Sequence, residues 1–230
     1  MRGLARVVGT LMIVAGLGTL VWAFTVWKWQ DPFTAVLNRQ DQRALSQSLE
    51  RRFETFASRA KPVSSPTLRK TLTRNATRWR LELKRGEAVG RLRVPRLDLD
   101  AVIVNGTDTE TLKRGPGRYL GSAVPGEGEL VYVAGHRTTY GAPFSQIDKL
   151  RNGDRVYVDL PYATIGYRIT GYRIVAATQL SVLKSKGYEQ LALQACHPRF
   201  FATQRYIAYA KPVEITPAGG GPTTRFEALG

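Results

Sequence analysis

The chain has 230 residues, 43% of them hydrophobic, and its 34 Lys and Arg against 18 Asp and Glu give a formal net charge of +16. This length suits one domain with appendages or two small domains, and the hydrophobic content excludes a wholly disordered chain. One cysteine excludes an intramolecular disulfide, and one cysteine with two histidines supplies too few soft ligands for a structural zinc site.

The chain begins with a long apolar run. Val7–Trp27 contains 21 residues without a charge, with basic residues on both sides, and such a length spans the hydrocarbon core of a bilayer. A cleaved signal peptide would have a shorter apolar region that ends at a small-x-small site. This run ends instead in Trp22, Trp27 and Trp29, which is typical of an interfacial aromatic belt. Residues 1–29 are therefore predicted to be an uncleaved transmembrane signal anchor in a lipid bilayer, although the flanking charges do not decide its orientation.

The next segment, residues 30–87, is predicted to be a basic helical stalk or linker. Asp31 and Pro32 are typical of a helix start, with Asp31 as N-cap and Pro32 in the first turn. Apolar residues then recur at helical spacing on both sides of a proline-flanked linker at 62–66. They are Leu45, Leu49, Phe53 and Phe56 before the linker, and Leu68, Leu72, Ala76, Trp79 and Leu83 after it.

Half of the excess positive charge lies in this segment. Residues 30–86 hold 13 basic and 5 acidic side chains. No RNP-like run, zinc-finger spacing or basic leucine-zipper region accompanies them, so nucleic acid is not expected as a partner. The basic faces are interpreted as solvated, with anionic lipid or a wall polymer as the alternative.

From Ala88 onward the hydrophobic period changes to two, which predicts β-strands. Only about one helical segment, near Pro143 to Leu150, interrupts them, so the fold is predicted to be mainly β, a barrel or a sandwich. The Gly/Pro-rich tail at 215–230 is predicted to be disordered. The predicted strands cover 88–95, 97–108, 129–136, 153–160, 165–175, 191–196 and 205–215.

Three chemically active side chains stand at predicted strand ends: His136, Cys196 and Arg205. An eight-residue loop joins Cys196 to Arg205, and antiparallel pairing of the two strands would bring both side chains to one end of a barrel. The thiolate is the nucleophilic form, and a nearby imidazolium or guanidinium lowers the pKa of a thiol. His136 would then move the proton, and Arg205, which stays protonated, would hold a substrate carbonyl and the oxyanion formed on attack.

Each of these assignments has a structural alternative. Cys196 could be an apolar filler, His136 a turn residue, and Arg205 a cover for apolar surface. Arg137 and His197 are neighbouring candidates for the cation and the base. Because successive residues of a strand face opposite sides, His197 should point away from any partner of Cys196.

Longer motifs surround these residues. AGHRTTYGAPFSQIDKLRNGD and, further along the chain, LALQACHPRFFATQR resemble the sortase family, most of all its class E branch from actinobacteria. GPGRYLGSAVPGEGELVYVAGH also fits that family, and the resemblance covers about residues 88–214. It implies a sortase catalytic domain there, a closed eight-stranded β-barrel with short helices. In that domain Cys196 would be the thioester-forming nucleophile, His136 the general acid and base, and Arg205 the oxyanion or substrate stabiliser.

The resemblance also implies a function and a location. A sortase of this kind is a membrane-anchored cysteine transpeptidase on the outer side of a Gram-positive or actinobacterial cell. Its partners are surface proteins with C-terminal sorting signals of LPxTG or LAxTG type, which are cleaved between Thr and Gly, and a peptidoglycan precursor amine that accepts them. The chemistry requires no metal or organic cofactor, although calcium stimulates some relatives.

The sequence departs from the family beside the cysteine. Sortases usually read Thr-Leu-x-Thr-Cys, whereas Ala192 and Ala195 stand here in place of both threonines. The missing hydroxyls support a non-enzyme alternative, a catalytically inactive membrane-tethered binding module. Within the family the alternative is a pilin-polymerising sortase with a lysine acceptor. Asp31-Pro32-Phe33 resembles the lid tripeptide of such sortases, although the helix cap is the favoured interpretation of these residues. A cell-wall L,D-transpeptidase is disfavoured because that family resembles Ser-His-Gly-Cys, with His before Cys.

Overall fold

A computed structural model of the protein describes residues 2–29, 32–59, 68–218 and 221–226. The helices in these ranges are α1 (Arg2–Trp29), α2 (Pro32–Ala57), α3 (Leu68–Glu82) and α4 (Thr109–Arg114). The strands are β1 (Ala88–Val94), β2 (Leu99–Asn105), β3 (Gly117–Arg118), β4 (Leu130–Ala134), β5 (Arg155–Leu160), β6 (Ala163–Ala176), β7 (Gln190–His197), β8 (Gln204–Pro217) and β9 (Thr224–Arg225).

Eight of the strands close into a barrel. Neighbouring strands follow the order β6-β5-β1-β2-β3-β4-β7-β8, and β6 pairs with β8 to complete the ring. The pairs β2–β3 and β4–β7 are parallel, and the other pairs are antiparallel. The predicted closed eight-stranded barrel is therefore confirmed.

Strand alternation decides which side chains face the interior. On β7, Leu191, Leu193 and Ala195 are fully buried in the main core. Ala192 belongs to a separate apolar cluster on the outer face of the barrel. Since Cys196 is four residues from Ala192 on the same strand, its side chain also faces outward.

The first helix carries the apolar run. Gly3–Thr25 is long and apolar enough to cross a membrane, with a mean hydropathy of 2.1, and none of its most apolar window is buried. This is compatible with the single-pass anchor predicted for residues 1–29. The side chains of Trp27 and Trp29 and the predicted helix cap Asp31 lie outside the described residues.

The second helix packs against the barrel. On α2, Leu45 and Leu49 are buried against β1 and β2. Gln42 bonds both backbone groups of Val102: its Oε1 accepts from the N–H at 2.7 Å, and its Nε2 donates to the C=O at 3.1 Å. The helix is as predicted, but its assignment to a stalk at 30–87 is wrong because the sheet covers its apolar stripe.

The third helix contributes to the main core. Its residues Leu72, Ala76 and Trp79 are buried there, and the indole N–H of Trp79 donates to the carbonyl of Val89 at 2.9 Å. The predicted apolar face is confirmed, whereas the stalk interpretation is wrong here too. The predicted linker at 62–66 lies outside the described residues.

Part of the predicted disordered tail, 215–230, is ordered. β9 pairs with β8 at Glu214 and Ile215, and Phe226 packs against the main core. The prediction of disorder is therefore wrong for this part of the tail. The final residues of the chain lie outside the described residues.

We expect loss of α2 to destabilise the barrel far more than loss of α1. Deleting residues 1–59 uncovers the sheet surface under Leu45 and Leu49, and burial of each such side chain is worth about 1.5–3 kcal/mol. Deleting residues 1–29 removes a helix whose described large apolar side chains are exposed. Urea unfolding of the two shortened proteins should therefore differ by about 3 kcal/mol or more, and equal free energies of unfolding would contradict the packing described.

Candidate active site

The three predicted site residues lie at the ends of neighbouring strands. Cys196 on β7 is directly opposite Arg205 on β8, the antiparallel arrangement that the short loop between them suggests. β4 runs parallel to β7, with Ala134 opposite Gln194. His136 and Cys196 each follow that pair by two residues, so the register brings them to the same end of the barrel.

These three side chains line one cavity of about 320 Å³ on the outer face of the barrel. Tyr132 on β4 and Gln194 on β7 line it as well. Its apolar wall comes from the segment after β6, with Leu180, Val182 and Leu183. An apolar cleft with a few convergent polar groups is the usual form of a ligand site.

His136 lies in surroundings that favour its neutral form. Partial burial lowers the pKa of the imidazole because the charged form loses hydration. Its Nδ1 lies 3.5 Å from Thr139 Oγ1, and its ring packs on Tyr140 with 5.1 Å between centroids. Nε2 is buried without a hydrogen-bond partner in the described parts of the chain. A neutral imidazole with an open ring nitrogen can accept a proton from a thiol.

The loop that carries His136 is held by the beginning of α2. The backbone N–H of Tyr140 donates to Thr34 Oγ1 at 2.8 Å. Gly141 has a φ of +71°, and a Cβ on it would lie 2.7 Å from Asn38 Oδ1. The left-handed backbone favours glycine at this position, and a side chain there would displace Asn38. The helix next to the apolar segment therefore supports the histidine loop directly.

Arg205 is anchored by backbone carbonyls of its own loop. Its Nη1 donates to Ala202 O at 2.7 Å and to Gln204 O at 2.9 Å. Within the described residues, no hydrogen bond uses its Nη2 or Nε. The guanidinium is therefore held in place while it keeps donors that a bound carbonyl could use.

Arg137 and His197, the alternative cation and base, lie behind the cavity wall. Arg137 is only 4% exposed, and its Nη1 lies 3.3 Å from Cys196 O and 3.0 Å from His197 Nδ1. Its Nη2 pairs with Asp148 at 3.0 Å. Neither Arg137 nor His197 is among the described residues that line the cavity. Arg137 thus ties the loop after β4 to the end of β7.

The two alanines that replace the usual threonines lie on opposite faces of β7, and Ala192 shares the outer face with Cys196. Ala195 is fully buried in the barrel core, and Ala192 is fully buried in the outer cluster that contains Tyr132. Neither is among the described residues that line the cavity with Cys196. A hydroxyl at position 195 would therefore lie in the core, whereas one at position 192 would lie in the same cluster as Tyr132, which lines the cavity.

The environment of His136 leads to a pH prediction. Because its pKa is lowered in the folded protein, the unfolded chain binds the proton more tightly. Stability should therefore fall as the pH drops through the usual imidazole range near about 6.5, and level off below the folded-state pKa. Urea unfolding at several pH values should show a steeper acid loss in the native protein than in His136→Gln, and parallel curves would contradict the proposed burial effect.

The apolar wall of the cavity was not predicted from the sequence. Leu180–Leu183 form a single 3₁₀ turn, and one turn is too short to show a hydrophobic period. The short apolar run LSVL between two polar residues is the only local signal.

Known proteins match this chain over the barrel. The Sortase family model, described as a sortase domain, matches residues 92–213, slightly more than half of the chain. Sortase D of Bacillus subtilis is 33% identical over 132 residues, 56% of this chain and 65% of that protein. Sortase SrtE1 of Streptomyces coelicolor is 30% identical over 152 residues, 59% of this chain and 43% of that protein. The crystal structure of sortase E1 from Streptomyces coelicolor with a tripeptide in the active site matches with a TM-score of 0.54 and 27% identity, covering 57% of this chain and 91% of that one.

The curated relatives are matched over less than two thirds of their own length, between 43% and 65%. They include proteins named for class D and class A as well as class E. The segment matched by the family model begins within β1 and ends within β8, and it contains all three predicted site residues. Since it takes in the barrel and its cavity together, the chain belongs to the sortase family, whose members are cysteine transpeptidases.

Proposed function

We propose that this chain is a membrane-anchored sortase that cleaves an LPxTG- or LAxTG-type sorting signal between Thr and Gly and transfers the protein to a peptidoglycan amine. The observation that carries the proposal is the convergence of Cys196, His136 and Arg205 on one cavity. A nucleophile, a proton carrier and a fixed cation are the groups that acyl transfer needs. In this proposal residues 88–214 form the catalytic domain.

The first half of the reaction forms a thioester. The Cys196 sulfur attacks the Thr carbonyl carbon while neutral His136 takes the thiol proton. The oxyanion that forms is stabilised by the Arg205 guanidinium through its open donors. The Thr–Gly bond then breaks, the imidazolium of His136 returns its proton to the leaving glycine amine, and the acyl group stays on sulfur.

The second half transfers the acyl group. The amine of the acceptor attacks the thioester carbonyl, and His136 takes the proton that the amine loses. Collapse of the second oxyanion forms the new amide and releases the Cys196 thiolate, which recovers the proton from His136. Exclusion of water by a peptide seated against the apolar wall favours transfer over hydrolysis.

The lining of the cavity also favours a peptide as the substrate. Its apolar wall of Leu180, Val182 and Leu183 suits the leucine side chain at the start of a sorting signal. The matched sortase E1 structure holds a tripeptide in its active site. We therefore place the residues before the scissile bond against this wall and the Thr carbonyl between Cys196 and Arg205.

The apolar helix supports a location at the membrane. Gly3–Thr25 would cross the membrane once, and the barrel would lie on the outer side of a Gram-positive or actinobacterial cell. The enzyme would find both of its substrates on that side, namely the surface proteins that carry sorting signals and the wall precursor that accepts them. The contact between α2 and the loop of His136 would then hold the active site close to the bilayer.

A product assay tests the proposal. The full-length chain in neutral detergent is incubated with an LPxTG or an LAxTG peptide, with and without triglycine or diaminopimelate as acceptor. We expect mass spectrometry to show a thioester adduct on the chain, a released fragment that begins with Gly, and an amide product that depends on the acceptor. Failure to cleave either peptide would reject the sorting-signal assignment in favour of the inactive module. Preference for a lysine-bearing pilin peptide over the wall amines would favour the pilin-polymerising alternative.

The role of Arg205 gives a further prediction. Arg205→Ala should lower kcat by about 10²- to 10³-fold because a donor to the oxyanion is lost. The kcat of Arg205→Lys should lie between those of the native protein and Arg205→Ala, because lysine keeps the charge but lacks the planar guanidinium group. Thermal unfolding of both variants reports whether the loop is intact. The exposed Arg69 on α3, changed to Ala, serves as the matched control. An unchanged kcat in Arg205→Ala would remove Arg205 from the mechanism.

A further inference from the structure

A second cavity lies on the outer face of the barrel, apart from the active site, and its lining is mainly cationic. Its volume is about 390 Å³, and it shares no lining residue with the cavity of Cys196. Among its described lining residues, four are cations and one is a carboxylate. They are Arg155, Arg168, Lys211, Val213, Glu214 and Arg225.

Three of these cations form a row across three adjacent strands. Arg155 on β5 is directly opposite Arg168 on β6, and Arg168 is directly opposite Lys211 on β8. Residues that face each other across strands have Cβ atoms about 4.5–5.5 Å apart, and like charges in such pairs are destabilising. The empty protein therefore holds three positive charges together at a cost in free energy.

The carboxylate in the cavity does not balance this row. Glu214 Oε1 lies 3.3 Å from Arg155 Nη1, and Arg225 on β9 is directly opposite Glu214. Arg155 Nη1 is nevertheless buried without a hydrogen bond in the described parts of the chain, because the contact to Glu214 lacks hydrogen-bond geometry. A buried donor without an acceptor costs free energy as well. An anion with several oxygen atoms in the cavity would relieve the repulsion in the row.

We propose that the cationic row Arg155, Arg168 and Lys211 binds an anion that carries two or more phosphate charges. Guanidinium groups match phosphate oxygens in two-point contacts, and a lysine ammonium adds a third charge. One carboxylate ligand would neutralise only part of the row, whereas a diphosphate or a run of phosphodiesters would neutralise it. The site is independent of the transfer reaction, so it would tether the enzyme to a phosphate-bearing surface or polymer without changing the chemistry at Cys196.

Binding of pyrophosphate to the full-length chain in neutral detergent tests this site. We expect calorimetry to show that Arg168→Gln with Lys211→Gln weakens binding about tenfold or more, because charge-assisted hydrogen bonds are lost. Arg69→Gln with Lys70→Gln removes the same two charges from exposed positions on α3 and should leave the affinity unchanged. Glu214→Gln should tighten binding because it removes the competing carboxylate.

Thermal unfolding gives a second measurement. Without anion, the Arg168 and Lys211 double variant should be at least as stable as the native protein because repulsion in the row is relieved. Added pyrophosphate should stabilise the native protein and the α3 control, and should stabilise the row variant less. This comparison also shows that the row variant folds.

Vesicles distinguish the source of the phosphate. If vesicles of phosphatidylglycerol retain the native protein and the α3 control more than the row variant, while phosphatidylcholine vesicles do not, the ligand is a group of two or more neighbouring lipid headgroups. If pyrophosphate binding depends on the row and vesicle retention does not, the ligand is a soluble or polymeric phosphate. If pyrophosphate fails to bind, or binds the row variant and the α3 control equally, the proposal is overturned whatever the vesicles show.

Discussion

Replacing Cys196 with alanine is expected to abolish peptide transfer, lowering its rate by about 10³-fold or more. The chain contains one cysteine, so no other thiol can form the acyl intermediate. The cavity wall is unchanged by the loss of one sulfur atom, and the backbone pairing of residue 196 with Arg205 does not depend on the side chain. Peptide should therefore still bind with nearly unchanged affinity, while neither the thioester adduct nor the amide product forms.

Cys196→Ser separates the loss of chemistry from the loss of binding. Serine keeps the size of the side chain but is a poorer nucleophile, so this variant should bind peptide and transfer it far more slowly than the native protein. Steady-state rates, peptide dissociation constants and thermal unfolding are measured on all three proteins. Residual transfer in Cys196→Ala at more than a small fraction of the native rate would place the nucleophile elsewhere.

The side chains of His136 and Arg205 have different electrostatic roles in the cavity. Burial lowers the pKa of His136, so the imidazole is neutral when the thiol first loses its proton. Arg205 is the permanent cation, fixed by the carbonyls of Ala202 and Gln204. From sequence, both groups were possible cations near the thiol, with proton transfer assigned to His136 and the oxyanion to Arg205. The neutral form of His136 could not be predicted, because it arises from how deeply the side chain is buried after folding.

The position of Cys196 opposite Arg205 could be predicted from the sequence because the two residues are close along the chain. Eight residues separate Cys196 from Arg205, and a short loop between two strands leaves few arrangements other than antiparallel pairing. His136 joins them through the parallel pairing of β4 with β7, and nothing local in the chain specifies that long-range contact. Its place in the site was predicted from its position at the end of a strand and from the resemblance to sortases.

The helices show the limit of a periodic pattern. The apolar stripes on α2 and α3 correctly predicted helices, but a stripe shows only that one face needs a partner, not what the partner is. Here the partner is the barrel, which covers Leu45 and Leu49 of α2 and takes Trp79 of α3 into its core. The two-residue strands β3 and β9 and the six-residue helix α4 were missed because they are too short to carry a period.

Trp79→Ala is expected to destabilise the fold by about 3–5 kcal/mol, the usual cost of removing a large buried ring. Trp79 is 2% exposed and packs edge-on against Phe56 with 6.1 Å between centroids. The guanidinium of Arg52 lies over its ring at 4.3 Å, so this one side chain joins α2, α3 and the barrel. Its loss leaves a void where these elements meet and removes the hydrogen bond to the carbonyl of Val89.

Two variants separate the contributions at this position. Trp79→Phe keeps an aromatic ring but cannot donate a hydrogen bond to the carbonyl of Val89. Its loss of stability should therefore be smaller than that of Trp79→Ala, about 1–3 kcal/mol. Leu81→Ala, on the same helix at a position that is 73% exposed, should change stability by no more than about 0.5 kcal/mol. Urea unfolding of the three variants measures these differences directly. If Trp79→Ala proves as stable as Leu81→Ala, α3 does not belong to the core, and the helices would stand clear of the barrel after all.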